Sequence, residues 1–509
     1  MDFSQRRYIW FFWLFLFLHF CVWLILPLYT KPNYPLDVVE CFLYGQEWSF
    51  SSGKHPPLPS WLTELASQLT GKSKIAPYLC SQIVVGLAFY SIWRIAGKML
   101  SPPKALLAVC SMEFYTYFTF YSLEFNNSIS LLGCWSLATL SLYHALESGR
   151  LRHWVLLGLF LGLGTLAKYS GFILVFMMLL LMFIDPRAKR YWKTPGPYLT
   201  TLIAAVIFLP HFIDTAFHHF TTLGYLSQRT GGGSYAYQEH ILCPARFLLT
   251  QLGVVAPILV LFLVIGNGKF RRRTLTDQDA FHVRFLNMLV VWPLLLQVSV
   301  SAIFGLRLNT IYGSHLWIFL GLYLTFHLDF EEKSLTLRRI AVFAVTGMVL
   351  MATLTAVRDV ASPYIRGKPS RIHFPGQAVA RHVETTWCSR YSIPCQHLAG
   401  EWWISGNVAT YGNDDPEVFC YSSPDRFGRK GRILSTWAEQ EDINHEGGIC
   451  LWDADHYPQG VPPWLLELYP TAEIQPIISF PYSTGAKIPP LKLGMAIVPP
   501  PTHLGVAKQ

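Results

Sequence analysis

Long apolar stretches recur along the chain, separated by short polar segments. The first covers residues 8–28, behind a short basic start that contains Arg6 and Arg7. A membrane span needs about 20 such residues. This stretch leaves through Tyr29-Thr30-Lys31-Pro32 with no small-residue cleavage site, so it reads as a retained helix rather than a signal peptide. Further apolar stretches lie near 76–97, 103–122, 127–146, 153–167, 170–184, 198–217, 246–266, 286–305, 313–329 and 340–357. They predict about eleven spans. The pair within 153–184 is tight for two helices, and loop charge decides in favour of both. Alternate loops hold Lys98 and Lys104; Arg150 and Arg152; Arg187, Lys189, Arg190 and Lys193; Lys269, Arg271, Arg272, Arg273 and Arg284; and Lys333, Arg338 and Arg339. Basic loops face the cytoplasm, which places the N-terminus inside and the C-terminus outside.

The outer segments are then 29–75, 122–126, 168–171, 218–245, 306–312 and everything after 358. The first is too long for a simple turn. Pro35 followed by DVVECFLYG predicts a short helix ending at Gly45. PPLPSWLTELASQLTG predicts a second helix lying along the interface, with Leu62, Leu65 and Leu69 at helical spacing and Trp61 as anchor. Beyond Arg358 the chain turns rich in Pro, Gly, Trp and charge. The runs GNVATY, EVFCYS and GICLWD alternate as strands do. PPLKLGMAIV reads as a last strand before a poorly ordered tail. The expected fold is a polytopic α-helical membrane protein of about eleven transmembrane helices over residues 1–358, followed by a mixed α/β extracytoplasmic domain over 359–509.

Composition supports this reading. Of 509 residues, 52% are hydrophobic and 14% charged, against about 25% charged in soluble domains. The net charge of +9 is accounted for by the basic loops, and nucleic acid is not needed to explain it. No Walker A loop and no GxGxxG after a strand is present. Cys388, Cys395, Cys420 and Cys450 fall in the polar C-terminal region, where two disulfides can form outside the cytosol. Proximity in sequence predicts Cys388–Cys395 and Cys420–Cys450. None of the ten cysteines has CxxC spacing.

Candidate chemistry gathers in the outer segments. Asp37 and Glu40 sit at i, i+3 and share a helix face. Solvated carboxylates at a helix N-terminus are common. Their position directly outside a span favours a catalytic role. Lys54 and His55 precede Pro56-Pro57, which stiffen the backbone; they suit either an interfacial loop touching anionic headgroups or a phosphate contact. Glu124, a further catalytic candidate, lies beside Asn126 and Asn127 on the same side as Asp37, where the three polar groups suit a shared cavity. Lys168 ends a span whose Gly158, Gly162 and Gly164 allow close helix packing; it is either a snorkelling lysine or a cation held for a lipid phosphate. His211, Asp214, His218 and His219 form PHFIDTAFHH, read as cavity-lining groups rather than a metal signature. Arg229, Arg307, Tyr312 and His315 complete the outer-side set, with Arg307 a further phosphate contact.

In this order of elements the chain resembles the polytopic glycosyltransferases of the GT-C fold, specifically the bacterial branch of glycosyltransferase family 39. That branch includes the aminoarabinose transferase acting on lipid A and is related to the protein O-mannosyltransferases. The resemblance rests on Asp37 in the first outer loop, on Lys54-His55-Pro56-Pro57-Leu58, on Lys168 after the glycine-rich span, and on a C-terminal outer domain. AGEWWISGNVATYGNDDPEVF and PHFIDTAFHHF look most like members that add hexuronic acids to lipopolysaccharide core or lipid A. The resemblance implies a sugar donor on a polyprenyl phosphate, a lipid A or lipopolysaccharide-type acceptor, and inverting transfer on the outer face of a bacterial inner membrane. It implies that Asp37 is the catalytic carboxylate and that Lys168 contacts the donor phosphate. The aminoarabinose enzymes have an acid then a lysine before Pro-Pro where this chain has Lys54-His55, so a phosphate or metal role does not carry across unchanged. A divalent metal stays open, and Glu124, Asn126 and Asn127 are equal counterparts of a further acidic position.

Two other readings compete. Transporters or flippases for lipid-linked substrates place ionisable residues mid-membrane, and a membrane assembly protein would use the outer domain as a binding module. A protein O-glycosyltransferase differs from the main reading in acceptor alone. Ionisable residues gathered at one face favour the enzyme.

Overall fold

The computed structural model describes residues 3–52, 54–218, 220, 222, 224, 227, 230, 237–330, 335–420, 440–457 and 459–501. Its first ten helices are α1 (Phe3–Thr30), α2 (Leu36–Gly45), α3 (Leu58–Leu69), α4 (Ala76–Met99), α5 (Pro102–Cys110), α6 (Asn127–Ser148), α7 (Leu151–Ala167), α8 (Gly171–Ile184), α9 (Pro186–Lys189) and α10 (Gly196–Phe217). Four long helices follow at Glu239–Ile265, Ala280–Phe304, Leu337–Arg366 and Gly376–Arg390. The chain divides into two compact units. One holds residues 1–27, 54–62 and 66–355, the other 28–53, 63–65 and 356–509.

Seven described helices are long and apolar enough to cross a membrane, or eight if the sharply bent pair Gly171–Ile184 and Pro186–Lys193 counts as one span. The eleven expected stretches therefore do not all become full-length helices. The stretch 103–122 breaks into α5 and 3₁₀ turns at Ser111–Phe114 and Phe120–Leu123. The stretch 313–329 carries only the short helix Leu320–His327, and α7 has 17 residues. Irregular backbone of this kind is tolerated at membrane depth only where protein surrounds it; Met112, Tyr115, Tyr117 and Phe118 are all buried.

One carboxylate marks that break. Glu113 is fully buried. It accepts from His19 Nδ1 at 2.7 Å and from Trp23 Nε1 at 2.9 Å, and His19 and Trp23 lie one turn apart on α1. A charge in an apolar slab must be held by protein partners, so this contact fixes both the rotation and the depth of α1.

Gly158 and Gly162 of α7 form its seam with α10, while Gly164 faces Leu131 and Cys134 of α6. A Cβ on Gly158 would come within 2.7 Å of the Thr200 carbonyl and 2.9 Å of Ile203 Cβ, and one on Gly162 within 2.8 Å of Ile207 Cβ. The close packing expected from these residues is present. In α3, Thr63, Ala66 and Ser67 are buried while Leu65 and Leu69 are exposed.

The second unit is built on a mixed sheet. Its strands are β1 (His397–Gly400), β2 (Glu417–Cys420), β3 (Gly448–Asp453), β4 (Glu473–Ile474), β5 (Ile478–Phe480) and β6 (Leu491–Val498). The order is β2-β1-β3-β6-β4, with β5 also on β6. β1 runs parallel to β2 and β3, and β6 antiparallel to β3. Both faces are covered. Ile449 and Leu451 join the cluster under Val383, Trp387, Ile404 and Val408, and Cys450 and Trp452 join Trp464, Leu465 and Tyr469 on the other face. A strand buried on both sides reads as a continuous apolar run, as GICLWD does.

Two expectations are corrected here. GNVATY is not a strand; it ends the helix Trp402–Tyr411. Residues Ile404 to Ala409 of that helix are all buried, so it carries no one-sided stripe to tell it from a short buried strand. The expected disulfides are also absent, since Cys395 and Cys450 are free thiols. Cys420 pairs in register with Gly400, and Cys450 with Ala399. β1 thus lies between the second pair, and two strand spacings, about 9.5 Å, exceed the reach of a disulfide.

The α7–α10 seam gives a direct test. Gly158→Ala should destabilise the protein by about 1–3 kcal/mol, the usual cost of overpacking. Gly253→Ala, with nothing within 4 Å of the new Cβ, should be neutral or slightly stabilising. Thermal unfolding in detergent measures both, and equal effects would contradict the packing described.

Candidate active site

In the first unit the site is assembled around the end of α7. The helix stops at Ala167, and Lys168 is extended (φ −162°, ψ 141°). The chain then turns directly into α8. A Cβ on Gly171 would meet the Gly164 carbonyl at 2.7 Å, so a glycine is required at this turn. The result points the lysine inward. Lys168 Nζ donates to Ser128 Oγ at 2.8 Å and to the Ile311 carbonyl at 3.2 Å, and lies 5.3 Å from the Tyr312 ring centroid.

The asparagines beside Glu124 build the neighbouring wall. Asn126 caps α6 by accepting from the Ser128 and Ile129 backbone N–H groups. The Asn127 amide donates to the Ala167 carbonyl at 2.7 Å and the Pro56 carbonyl at 3.2 Å. One side chain therefore ties the Lys54-His55-Pro56 loop to the backbone just before Lys168. Lys54, His55 and Glu124 are half-buried. Below Tyr312, Gln297 donates to the Tyr312 carbonyl and to His315 Nε2, and His315 is fully buried 4.5 Å from the Trp135 ring. His315 thus supports Tyr312 from beneath.

Tyr169, next to Lys168, reaches His211 Nε2 at 3.0 Å. Asp214 lies 3.6 Å from His218, and its other oxygen is buried without a hydrogen-bond partner among the described residues. Arg307 makes a two-point contact with Glu239, at 3.1 and 2.7 Å; Glu239 also accepts from the Cys243 thiol. Arg229 and His219 lie outside the described residues.

The second unit holds the paired carboxylates. Asp37 lies in the first turn of α2, half-buried, and Glu40 is buried one turn on. The segment leading into α2 is pinned by contacts invisible in sequence. Lys31 Nζ donates to Asp359 at 2.6 Å with both groups buried. Asn33 donates to Asn407 at 2.9 Å, the Tyr34 N–H donates to the Tyr411 hydroxyl at 2.9 Å, and the two tyrosine rings stack at 5.2 Å. Val39 packs on Gly406 of the helix Trp402–Tyr411. These partners lie more than 300 residues apart, so no local pattern could reveal them.

Sequence reasoning also missed a polar edge in this unit. Glu401 directly follows β1 and Asp453 ends β3, so both stand at carboxyl ends of adjacent parallel strands. His456 Nδ1 meets Glu401 at 3.0 Å, and Lys492 pairs with Asp455 at 2.8 Å. Burial pushes the Glu401 carboxyl up, opposed in part by His456. Burial pulls the His456 imidazole down, but Glu401, Asp453 and Asp455 outweigh it and the imidazole ends raised.

A divalent metal finds no ready cage, because no group of three or more His, Cys, Asp or Glu side chains converges as a metal would need among the described residues.

The strand-end cluster predicts a pH dependence. Both raised groups retain protons in the folded state that the unfolded chain releases, so their contribution to stability falls as pH rises. The window runs from the ordinary carboxylate value of 4.5 up through and beyond the ordinary imidazole value of 6.5. The unfolding temperature of the wild type relative to Glu401→Gln should decline across it. A relative rise would contradict the assignment.

Residues 54–213, which include the Lys54-His55 loop, Asn127, Lys168 and His211, match the family model described as dolichyl-phosphate-mannose-protein mannosyltransferase. The lipopolysaccharide core galacturonosyltransferase RgtB of Rhizobium johnstonii is 24% identical over 279 residues, covering 53% of this chain and 56% of that protein. RgtA of the same organism is 23% identical over 198 residues, covering 38% and 40%. The chain thus matches between two-fifths and just over half the length of these curated relatives. Among solved structures, ArnT from Cupriavidus metallidurans bound to undecaprenyl phosphate aligns over 96% of this chain and 97% of its own, with TM-score 0.64 and 14% identity. Its apo form aligns over the same shares with TM-score 0.61 and 13% identity. The likeness in structure carries the fold, and the family model covers Ser128, Asn127 and Lys168 of the lysine site but not Ile311 or Tyr312. The chain is a multi-pass membrane protein of the GT-C fold, and its residues 54–213 are similar to the dolichyl-phosphate-mannose-protein mannosyltransferase model.

Proposed function

We propose that the protein is an inverting glycosyltransferase that moves a sugar from a polyprenyl-phosphate donor to a lipopolysaccharide or lipid A acceptor. The reaction is assigned to the periplasmic face of the inner membrane. The observation that carries this reading is Lys168, held by Ser128 and the Ile311 carbonyl at the end of α7, with Asn127 tying the Lys54-His55 loop beside it. Cations gathered and oriented at a membrane boundary suit an anionic lipid phosphate.

The chemistry follows from the residue types. The acceptor hydroxyl oxygen attacks the anomeric carbon while the bond from that carbon to the phosphate oxygen breaks. The polyprenyl phosphate leaves with the bonding electrons, and its growing negative charge is stabilised by Lys168 with Lys54 and His55. The hydroxyl proton passes to a base, for which Asp37 is the candidate. One displacement inverts the anomeric centre and needs one essential carboxylate, unlike the two-step retaining route. Glu40, buried a turn away, orients rather than reacts. His211, Asp214, Tyr312 and His315 line or support the substrate cavity. The two curated relatives are named as galacturonosyltransferases, which supports a hexuronic acid as the sugar. The resemblance to the aminoarabinose branch keeps an aminosugar as the second choice.

Mass spectrometry of lipopolysaccharide and lipid A tests the reading, comparing cells that carry the wild type, no protein, Asp37→Asn or Lys168→Met. A single sugar-sized mass should vanish on deletion and in Asp37→Asn, and fall by about 10²–10³ in Lys168→Met, as when one preorganised donor is removed. Glycolipids unchanged while a polyprenyl-linked sugar accumulates would move the acceptor to protein. Neither pool changing would favour a transporter or assembly role.

A further inference from the structure

A second basic site lies at the opposite end of α7 from Lys168. The two are separated by the length of the helix, about 24 Å at 1.5 Å per residue. Here α4, α6 and α7 enclose a cleft of about 480 Å³, within the usual range for ligand sites of roughly 300–1,000 Å³. Its mouth carries Arg94 and Lys98 from α4 and Arg152 from α7. The carboxylate among the lining residues is Glu147, which pairs with Lys98 at 2.8 Å. Three permanent cations thus face one acid. Arg94 rests on the Tyr90 ring at 5.5 Å and donates to its hydroxyl, and Arg152 donates to His153 at 3.3 Å. Neither arginine makes an ion pair with a carboxylate among the described residues.

The cleft is graded along the helix axes. Lys98, Glu147, Ser148, Arg152 and His153 cluster at the helix ends. One to three turns deeper the lining becomes Leu137, Leu140, Leu156 and Phe160. A soluble anion would use the mouth and leave the apolar floor exposed. A lipid with an anionic headgroup uses both, with its phosphate among the cations and the start of an acyl chain along the floor. Loop charge assigns this end of the bundle to the cytoplasmic leaflet, where anionic phospholipids concentrate near basic pockets between helices.

We infer that this cleft is a binding site for an anionic phospholipid headgroup, on the side of the membrane away from the Lys168 site. The occupant is a glycerophospholipid rather than a second donor molecule. Its phosphate is a diester beside two acyl chains, and Leu156, 40% exposed, opens the floor laterally to lipid.

Native mass spectrometry of the full-length protein in detergent tests the inference, with equal concentrations of dioleoylphosphatidylglycerol and dioleoylphosphatidylcholine. One phosphatidylglycerol should be retained with about tenfold or greater preference. Arg94→Gln/Arg152→Gln should reduce that preference to near unity. Lys104→Gln, a cation of the same face outside the cleft, should leave it intact. Arg152→Gln alone, at an exposed side chain, should lower it in part and keeps the test sound if the double variant fails to fold. Equal retention of the two lipids, or full retention by the folded variants, would overturn the site. Retention of farnesyl phosphate but not phosphatidylglycerol at the cleft would overturn the choice of phospholipid.

Discussion

An ionised group in a layer without water must be held by protein, and that constraint organises the first unit. Glu113 is held by His19 and Trp23, which sets α1 against the broken stretch that follows α5. Asp185 accepts from Arg284 at 2.6 Å while capping α9. Lys168 is held by a hydroxyl and a backbone carbonyl. Asp185 and Arg284 form an ion pair, and Glu113 draws on the ring nitrogens of His19 and Trp23.

The same logic bears on the second unit. Asp37 and Glu40 sit on a short helix whose approach is fixed by the buried Lys31–Asp359 pair and by Asn33 and Tyr34 on the helix Trp402–Tyr411. A ten-residue helix would be marginal by itself. Packed through Val39 and Leu43 on Gly406, it becomes a rigid platform for its carboxylates. Residues 28–53 thus belong with 356–509, although the sequence reads as one outer loop of the membrane part.

Period and charge made the long helices, the basic loops, α2, α3 and the glycine seam legible before any coordinates. The lysine site was legible in part, because Lys168 and the Lys54-His55 loop stand out as charges flanking apolar runs. Their union through Asn127 was not, since an amide bridging two carbonyls leaves no pattern. Glu113 was passed over inside an apolar stretch, though a lone carboxylate there needs a partner. The contact of Arg307 with Glu239 was not legible, because ion pairs across loops are set by tertiary structure. GNVATY misled because its buried helix carries no one-sided stripe, and the disulfides because closeness in sequence says nothing of strand order.

The most direct test of the central claim is turnover by the purified protein in vesicles, given a polyprenyl-phosphate hexuronate and lipopolysaccharide core. The account predicts that polyprenyl phosphate is released one for one with glycosylated acceptor, and that NMR of the product shows an inverted anomeric centre. Donor that crosses the bilayer intact with no polyprenyl phosphate released, or a product of retained configuration, would contradict it.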